Sequence, residues 1–441
     1  MSIRIGADVG GTFTDIVIEV ADGSYSSTKV LTTHDAPEVG ILDGIGRIAA
    51  QENIDLRDVT QIIHGTTLAT NALIERRGAK TALVTTDGFR DVIETRTESR
   101  FEQYDLNIVL PTPLIQRADR HVISERLNAR GETLVPFDEN GARSLVEHIG
   151  TEGYQSVAVG FIHSYVNPTN ELRFRELLLA ELPDIAVSIS SEVSPQMREY
   201  ERFNTVCANA YVQPLMASYL VRLRDELAAR GATCPLYLIH SGGGLMSVES
   251  AAAFPVRLVE SGPAGGAIFA ADLAARYSRD RVLSYDMGGT TAKIALIEDF
   301  TPATAQRFEV DRTARFKKGS GMPISIPVIE MIEIGAGGGS IASVDSLGQI
   351  RIGPHSAGSE PGPASYRRGG LDATVTDANV QLGRLHPDTF GAKDIDLSPA
   401  LAAEALMRSV GDRLDLSAAD AARGVAEVVD ENMTNAARVH E

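Results

Sequence analysis

The sequence predicts a two-lobed α/β protein. Strand-like and helix-like runs alternate over most of the 441 residues, which points to sheet and helix layers. The stretch ADVGGTFTD (residues 7–15) reads as strand, Gly-Gly turn, strand. YDMGGTTAK (residues 285–293) repeats that pattern 278 residues further on, as a duplicated unit would.

The elements follow in order. IRIGADVG and FTDIVIEV alternate apolar and polar positions, so they form a Gly-rich hairpin, and STKVLTT is a third strand. EVGILDGIGRIAAQ spaces its apolar residues three and four apart, as a helix does. VTQIIHGTT is a strand running into the helix LATNALIERRG, which Gly78 stops, and KTALVTT is another strand. Residues 88–135 are less regular and suggest a β-rich insertion. Helix then buried strand returns in NGARSLVEHIGTEGYQSVAVGFIHSY. A helix closed by Pro183 and the strand IAVSISSEVSP complete a first lobe, residues 1–190.

The second lobe, residues 191–441, opens with a helix over 199–229. CPLYLIHSGGGLMS is a strand ending in three glycines, and VESGPAGGAIFAADLAARYS is a Gly turn entering a helix. The second Gly-Gly hairpin follows. The last stretch is helix-patterned, with Val425, Val428, Val429 and Met433 on one face, and the pattern is still running where the sequence stops. That fits a natural terminus or a fragment.

Composition narrows the function. The net charge is −18, with no basic run, which argues against nucleic acid or an anionic membrane as partner. Cys207 and Cys234 are too few for a disulfide framework or a cysteine zinc site. No signal peptide or apolar span is visible, so a cytoplasmic setting is expected.

The hairpins carry the chemistry. Gly10 and Gly11 let an anion approach main-chain N–H groups. Thr12 and Thr14, two apart, are expected to offer hydroxyls on one strand face. Asp8 and Asp286 are the candidates for Mg²⁺, held through waters. Asp15 either orients water or closes the turn. Gly288, Gly289, Thr290 and Thr291 repeat the cradle, so the two turns could grip a polyphosphate from both sides. Lys293 either neutralises phosphate or is a plain strand lysine. His64, at a strand end, is a candidate general acid or base, or a structural hydrogen-bonder. Glu260, in ESGPAGGA, can activate water or orient substrate. Gly337 and Gly338, in GAGGGS, either line the cleft as ligand-binding glycines or allow close packing.

The paired hairpins resemble the phosphate-1 and phosphate-2 motifs of the actin-like ATPase superfamily. More narrowly, HGTTLATNALIERRGAKTALVTTDGFRDV, VESGPAGGA, MIEIGAGGGSIASVD and SAGSEPGPASYRRGG are similar, in order, to blocks of the hydantoinase A / 5-oxoprolinase family. The resemblance implies an actin-like ATPase fold and ATP with Mg²⁺ as cofactors. It implies cyclic amide hydrolysis, or in some members ketone carboxylation, with a B-type partner subunit in a hetero-oligomer. It also implies an adenosine-binding Gly-Gly block after VVDENMTNAARVH. A truncated member, completed by another chain or reduced to a non-catalytic assembly module, is therefore a further expectation.

Overall fold

A computed structural model describes every residue except 1, 21, 34–35, 99, 315–316, 391–395 and 439–441. The first sheet forms around the first hairpin. β1 (Ile3–Val9) pairs antiparallel with β2 (Phe13–Glu19), and β2 with β3 (Tyr25–Leu31). β4 (Val59–Thr66) runs parallel to the other side of β1. β5 (Leu236–Ile239) and β6 (Leu245–Ser247) extend the sheet beyond β4. This layer therefore joins strands from before and after residue 190.

Alternation sets its two faces. Ile5, Ala7 and Val9 of β1 and Ile16 and Ile18 of β2 are buried beneath α1 (Pro37–Gln51). Asp8 and Asp15 fall on the opposite face as direct cross-strand partners. The helix rests closely on β2, because a Cβ at Gly44 would lie 2.6 Å from Ile16 Cγ1.

A second, wholly parallel sheet is built from Thr81–Thr86, Arg120–Ile123, Ser156–Gly160 and Ala186–Ile189. The expected β-rich stretch at 88–135 contributes one of these strands and the ribbon of Arg126–Leu127 with Thr133–Val135; its other described residues form a short helix at Val92–Thr95, a 3-10 turn at Arg117–Asp119 and irregular chain. α2 (Glu199–Ala229) is buried on nearly all sides over its first three turns and packs against this second sheet.

The second hairpin begins another sheet. β7 (Arg281–Met287) and β8 (Ala292–Glu298) are antiparallel, and β9 (Ile332–Ile334) lies against β8. α3 (Ser261–Arg276) packs on this pair. The predicted terminal helix is present as α4 (Ala418–Arg438), with Val425, Val429 and Met433 buried in a core that also holds Ala292, Ile294 and Ile334. The molecule thus has a hydrophobic core behind each hairpin.

Gly44→Leu should drive the side chain into Ile16 and lower the unfolding free energy by about 1–3 kcal/mol. Urea unfolding measures this, and an unchanged midpoint would refute the close α1–β2 contact.

Candidate functional site

The two hairpins share one geometry. Val9 pairs with Thr14, and Met287 with Ala292, leaving four residues in each turn. Gly10 N–H donates to Phe13 O at 2.9 Å, and Gly288 N–H donates to Thr291 O at 2.9 Å. Position for position, Asp8 corresponds to Asp286, Thr12 to Thr290 and Asp15 to Lys293.

Each turn is held from behind by its carbonyls. Thr32 donates its N–H to Thr12 O at 3.1 Å and its hydroxyl to Gly10 O at 2.9 Å. At the second turn, Gly338 N–H reaches Gly288 O at 2.9 Å and Gly339 N–H reaches Gly289 O at 2.7 Å. In a trans peptide the C=O of one residue and the N–H of the next point opposite ways. The N–H groups of Gly11, Gly289 and Thr290 are therefore turned away from these supports. None of the three has a partner among the described residues. The tips approach each other, since a Cβ at Gly289 would come 2.7 Å from Thr12 Oγ1. Free N–H groups presented from two sides form a site for a polyanion.

Carboxylates stand beside these donors. Asp8 is accessible from the cleft but hemmed in. Cβ atoms at Gly65 or Gly262 would lie 2.7 or 2.8 Å from its Oδ1. This enclosure, with Asp15 and then Asp286 nearby, pushes its pKa up to about 6, against a smaller pull from Lys29. Two carboxylates directly opposite each other on neighbouring strands repel. Lys29 forms its ion pair with Asp15, at 2.6 Å. A divalent cation at Asp8 and Asp286 fits this donor set. Among the described residues no three metal-ligating side chains converge, so water or ligand oxygens would complete its shell.

The cross-strand rows differ in charge. The first sheet presents Asp8, Asp15 and Lys29 in line; the second presents Asp286, Lys293 and Glu333. Lys293 forms a short ion pair with Glu260 and lies 4.0 Å from Glu333. Burial disfavours its ammonium, but Glu260 and Glu333 outweigh that and hold its pKa above the ordinary lysine value. Glu260 is the N-cap of α3, with a left-handed backbone at φ 63°. Its N–H donates to Thr70 Oγ1 at 3.1 Å, while Ser261 Oγ bridges the N–H and C=O of Thr66. These bonds fasten the start of α3 to the end of β4 and to the helix Leu68–Ile74 that follows it, beside Asp8.

Several sequence-level expectations change. Thr14 does not share a face with the turn: it is fully buried beside Ile16, 3.1 Å from Thr32 Oγ1. Alternation places it on the core face, whereas Thr12 lies in the turn itself. Gly337 and Gly338 serve the packing alternative. Gly337 N–H goes to Ser340 Oγ, and Gly338 N–H goes to the second hairpin, so neither amide is free for a ligand. Cβ atoms at Gly337 would lie 2.7 Å from the Thr290 backbone. His64 is enclosed, with Nδ1 3.0 Å from Ala7 O and Nε2 2.7 Å from Tyr219 Oη. A carbonyl can only accept, so Nδ1 carries the proton and Nε2 receives the Tyr219 hydroxyl. Burial lowers its pKa to about 4. Such a residue props β4 against α2 and has no path to a substrate proton. Glu260 does reach the cleft, but pairing with Lys293 suits it to orienting rather than to taking a proton. Sequence reasoning missed Thr32, whose role depends on a turn twenty residues away.

A family model described as hydantoinase/oxoprolinase matches residues 202–440, and one for the hydantoinase/oxoprolinase N-terminal region matches residues 4–182. The chain is 34% identical to caprolactamase subunit alpha of Pseudomonas jessenii, over 99% of this chain and 62% of that one. The crystal structure of the ATP-dependent caprolactamase from that organism superposes with a TM-score of 0.78 at 32% identity, covering 99% of this chain and 63% of that one. Identity to 5-oxoprolinase of Saccharomyces cerevisiae is 31%, over 88% of this chain and 32% of that protein. A nucleotide-free structure of acetone carboxylase, from work on ATP-dependent acetone carboxylation, superposes with a TM-score of 0.81 at 25% identity, over 99% of this chain and 62% of that one. The chain thus spans less than two thirds of each relative. These likenesses accord with the two-lobed actin-like ATPase fold.

His64 yields a pH test. An unfolded histidine titrates near 6.5 and the folded one near 4, so the unfolded state binds more protons between them. Stability is then full above pH 6.5 and declines as pH falls toward 4, by on the order of 3 kcal/mol at most. His64→Gln should flatten this slope in urea melts taken across that range, and an unchanged slope would contradict the assignment.

Proposed function

Because the chain belongs to the hydantoinase/oxoprolinase family, we propose that it is the nucleotide-binding A subunit of an ATP-dependent cyclic amide hydrolase. The observation that carries this is the pair of identically registered hairpins, with amides facing each other beside Asp8 and Asp286. The substrate class would be a hydantoin, 5-oxoproline or a related lactam. Residues 1–190 and 191–441 would each bring one hairpin to the site, and the setting would be cytoplasmic. Among the described residues no helix is long and apolar enough to cross a membrane.

In this reading Gly11, Gly289 and Thr290 N–H groups hold the phosphates, with the Thr12 hydroxyl between the tips. Asp8 and Asp286 would hold Mg²⁺, whose charge would relieve their repulsion from Asp15. ATP bound there would supply a phosphoryl group to the amide oxygen, with ADP as the leaving group, which would make the carbonyl carbon open to water. The chain's own part is positioning and neutralisation of charge. Lys293, steadied by Glu260, adds a cation beside the second hairpin. A B-type partner in a hetero-oligomer would complete ring opening.

A second reading is the nucleotide subunit of a ketone carboxylase, favoured by the likeness to acetone carboxylase. Phosphate release can be measured with hydantoin, 5-oxoproline, caprolactam, or acetone plus bicarbonate, each with and without a B-type subunit. Turnover with a cyclic amide supports the first reading, and turnover only with the ketone replaces it. No nucleotide binding and no turnover in any mixture would leave the assembly-module expectation.

Asp8→Asn and Asp286→Asn should each lower Mg²⁺-dependent turnover by about a hundredfold or more without unfolding the chain. Full activity in either would refute the two-hairpin site. Gly262→Ala is a sharper probe. Alanine suits a helix better than glycine by about 1 kcal/mol, so Tm should hold or rise. The new methyl group would displace the Asp8 carboxylate, and Mg²⁺ affinity by calorimetry should fall at least about tenfold.

A further inference from the structure

Two glutamates flank Lys293 at the second hairpin, and they are held differently. β7, β8 and β9 set Asp286, Lys293 and Glu333 in one cross-strand row, so the three side chains leave the same sheet face. That face borders a cleft of about 1430 Å³, whose wall includes Glu260, Lys293 and Glu333. Neighbouring strands lie about 4.8 Å apart, so Glu333 stands roughly 10 Å from Asp286 along the row. A phosphoryl group at the turns and a planar amide beyond it fill that interval.

Lys293 forms its short ion pair with Glu260, whose own N–H is tied to Thr70. Glu260 is thereby fixed and almost wholly enclosed. Glu333 Oε1 lies 4.0 Å from Lys293 Nζ, beyond hydrogen-bond reach, and the Glu333 side chain is 48% exposed. The charged groups facing it are Lys293 from β8, Glu260 from the start of α3, and Arg312, which pairs with Glu309 at 3.2 Å in the cleft wall. Crowding by that wall thins the water around Glu333 and raises its pKa above the ordinary glutamate value; Lys293 pulls it down and Glu260 adds to the rise. A carboxylate becomes a more effective base as its pKa rises toward the working pH.

Moving a phosphoryl group onto an amide oxygen leaves a proton to be placed. An O-phosphorylated amide that keeps its N–H carries a positive charge over the C–N unit. Losing that proton as the oxygen attacks gives an uncharged imidate instead, and makes the oxygen the stronger nucleophile. The turns offer N–H donors, and Asp8 and Asp286 face the metal position, so neither hairpin supplies a base for this proton. Glu260 is tied to Lys293. Glu333 is the carboxylate of the row that stays open to the cleft.

We propose that Glu333 is the general base of the phosphoryl-transfer step, taking the N–H proton of the amide while Lys293 steadies it. The amide oxygen forms a bond to the γ-phosphorus, and the bond from that phosphorus to the bridging oxygen breaks with its electron pair on ADP. The N–H electron pair closes a C=N bond as the proton moves to a Glu333 oxygen. The open cleft then lets Glu333 release that proton to solvent before the next turnover. This rests on the cyclic-amide reading above and adds to it a residue that neither turn contains.

The test uses the full chain with its B-type partner, ATP, Mg²⁺ and whichever of hydantoin, 5-oxoproline or caprolactam turns over. Glu333→Gln keeps the side chain's shape and should lower kcat by about a hundredfold or more, while MgADP affinity by calorimetry stays within about twofold. In the unaltered chain kcat/KM should fall as pH drops and Glu333 takes up a proton, and Glu333→Gln should lose that acid limb. Added formate should restore part of the rate in Glu333→Ala, which a purely structural role would not allow. The N-methyl derivative of the same ring, with no proton to give, should not drive phosphate release. Undiminished turnover in Glu333→Gln, or a slow Glu333→Ala that keeps its acid limb and ignores formate, would overturn the base and leave the cyclic-amide reading standing. If no cyclic amide turns over in the unaltered chain, that reading fails and the role of Glu333 fails with it.

Discussion

Asp8 occupies a space left by two missing side chains. Gly65 on β4 and Gly262 on α3 close around its carboxylate so tightly that a methyl group on either would displace it. Three elements distant in sequence meet at this one oxygen. The Ser261–Thr66 and Glu260–Thr70 bonds keep them there. The consequence is electrostatic: a carboxylate that cannot retreat faces Asp15 and Asp286, and the site as a whole favours a cation.

The same restraint governs the turns. A Gly-Gly turn by itself is pliable. Thr32 behind one hairpin, and Gly338 with Gly339 behind the other, take up the carbonyls and so fix which way the amides face. Donors oriented before a ligand arrives need no reorganisation when it binds. The two supports are unrelated in sequence, yet they act on equivalent peptide units. The duplication is therefore one of geometry, and it allows the charge exchange of Asp15 for Lys293. One side of the site sets two aspartates opposite each other, and the other sets a lysine between two glutamates.

Much of this was legible beforehand. Alternating apolar residues gave the hairpin strands, and their spacing gave the long helix at 199–229 and the last helix. The repeated Asp-x-Gly-Gly-Thr identified the two turns as a pair, because that chemistry is local. Thr14 was misread because spacing shows that two residues share a parity but not where the strand ends and the turn begins. Gly337 and Gly338 looked like ligand glycines because glycine composition cannot tell approach to a phosphate from approach to a backbone.

The amino-acid sequence by itself determined the α/β alternation, the two anion-ready turns, the aspartates beside them and the family to which the chain belongs. These depend on residue type and short-range periodicity, which are written in the chain. Only the tertiary structure decided which amides are free, that His64 is a prop shared with Tyr219, and that Glu260 is tied to Lys293. Each of those depends on partners brought together from far apart in sequence, and burial and charge have no value until those neighbours are in place.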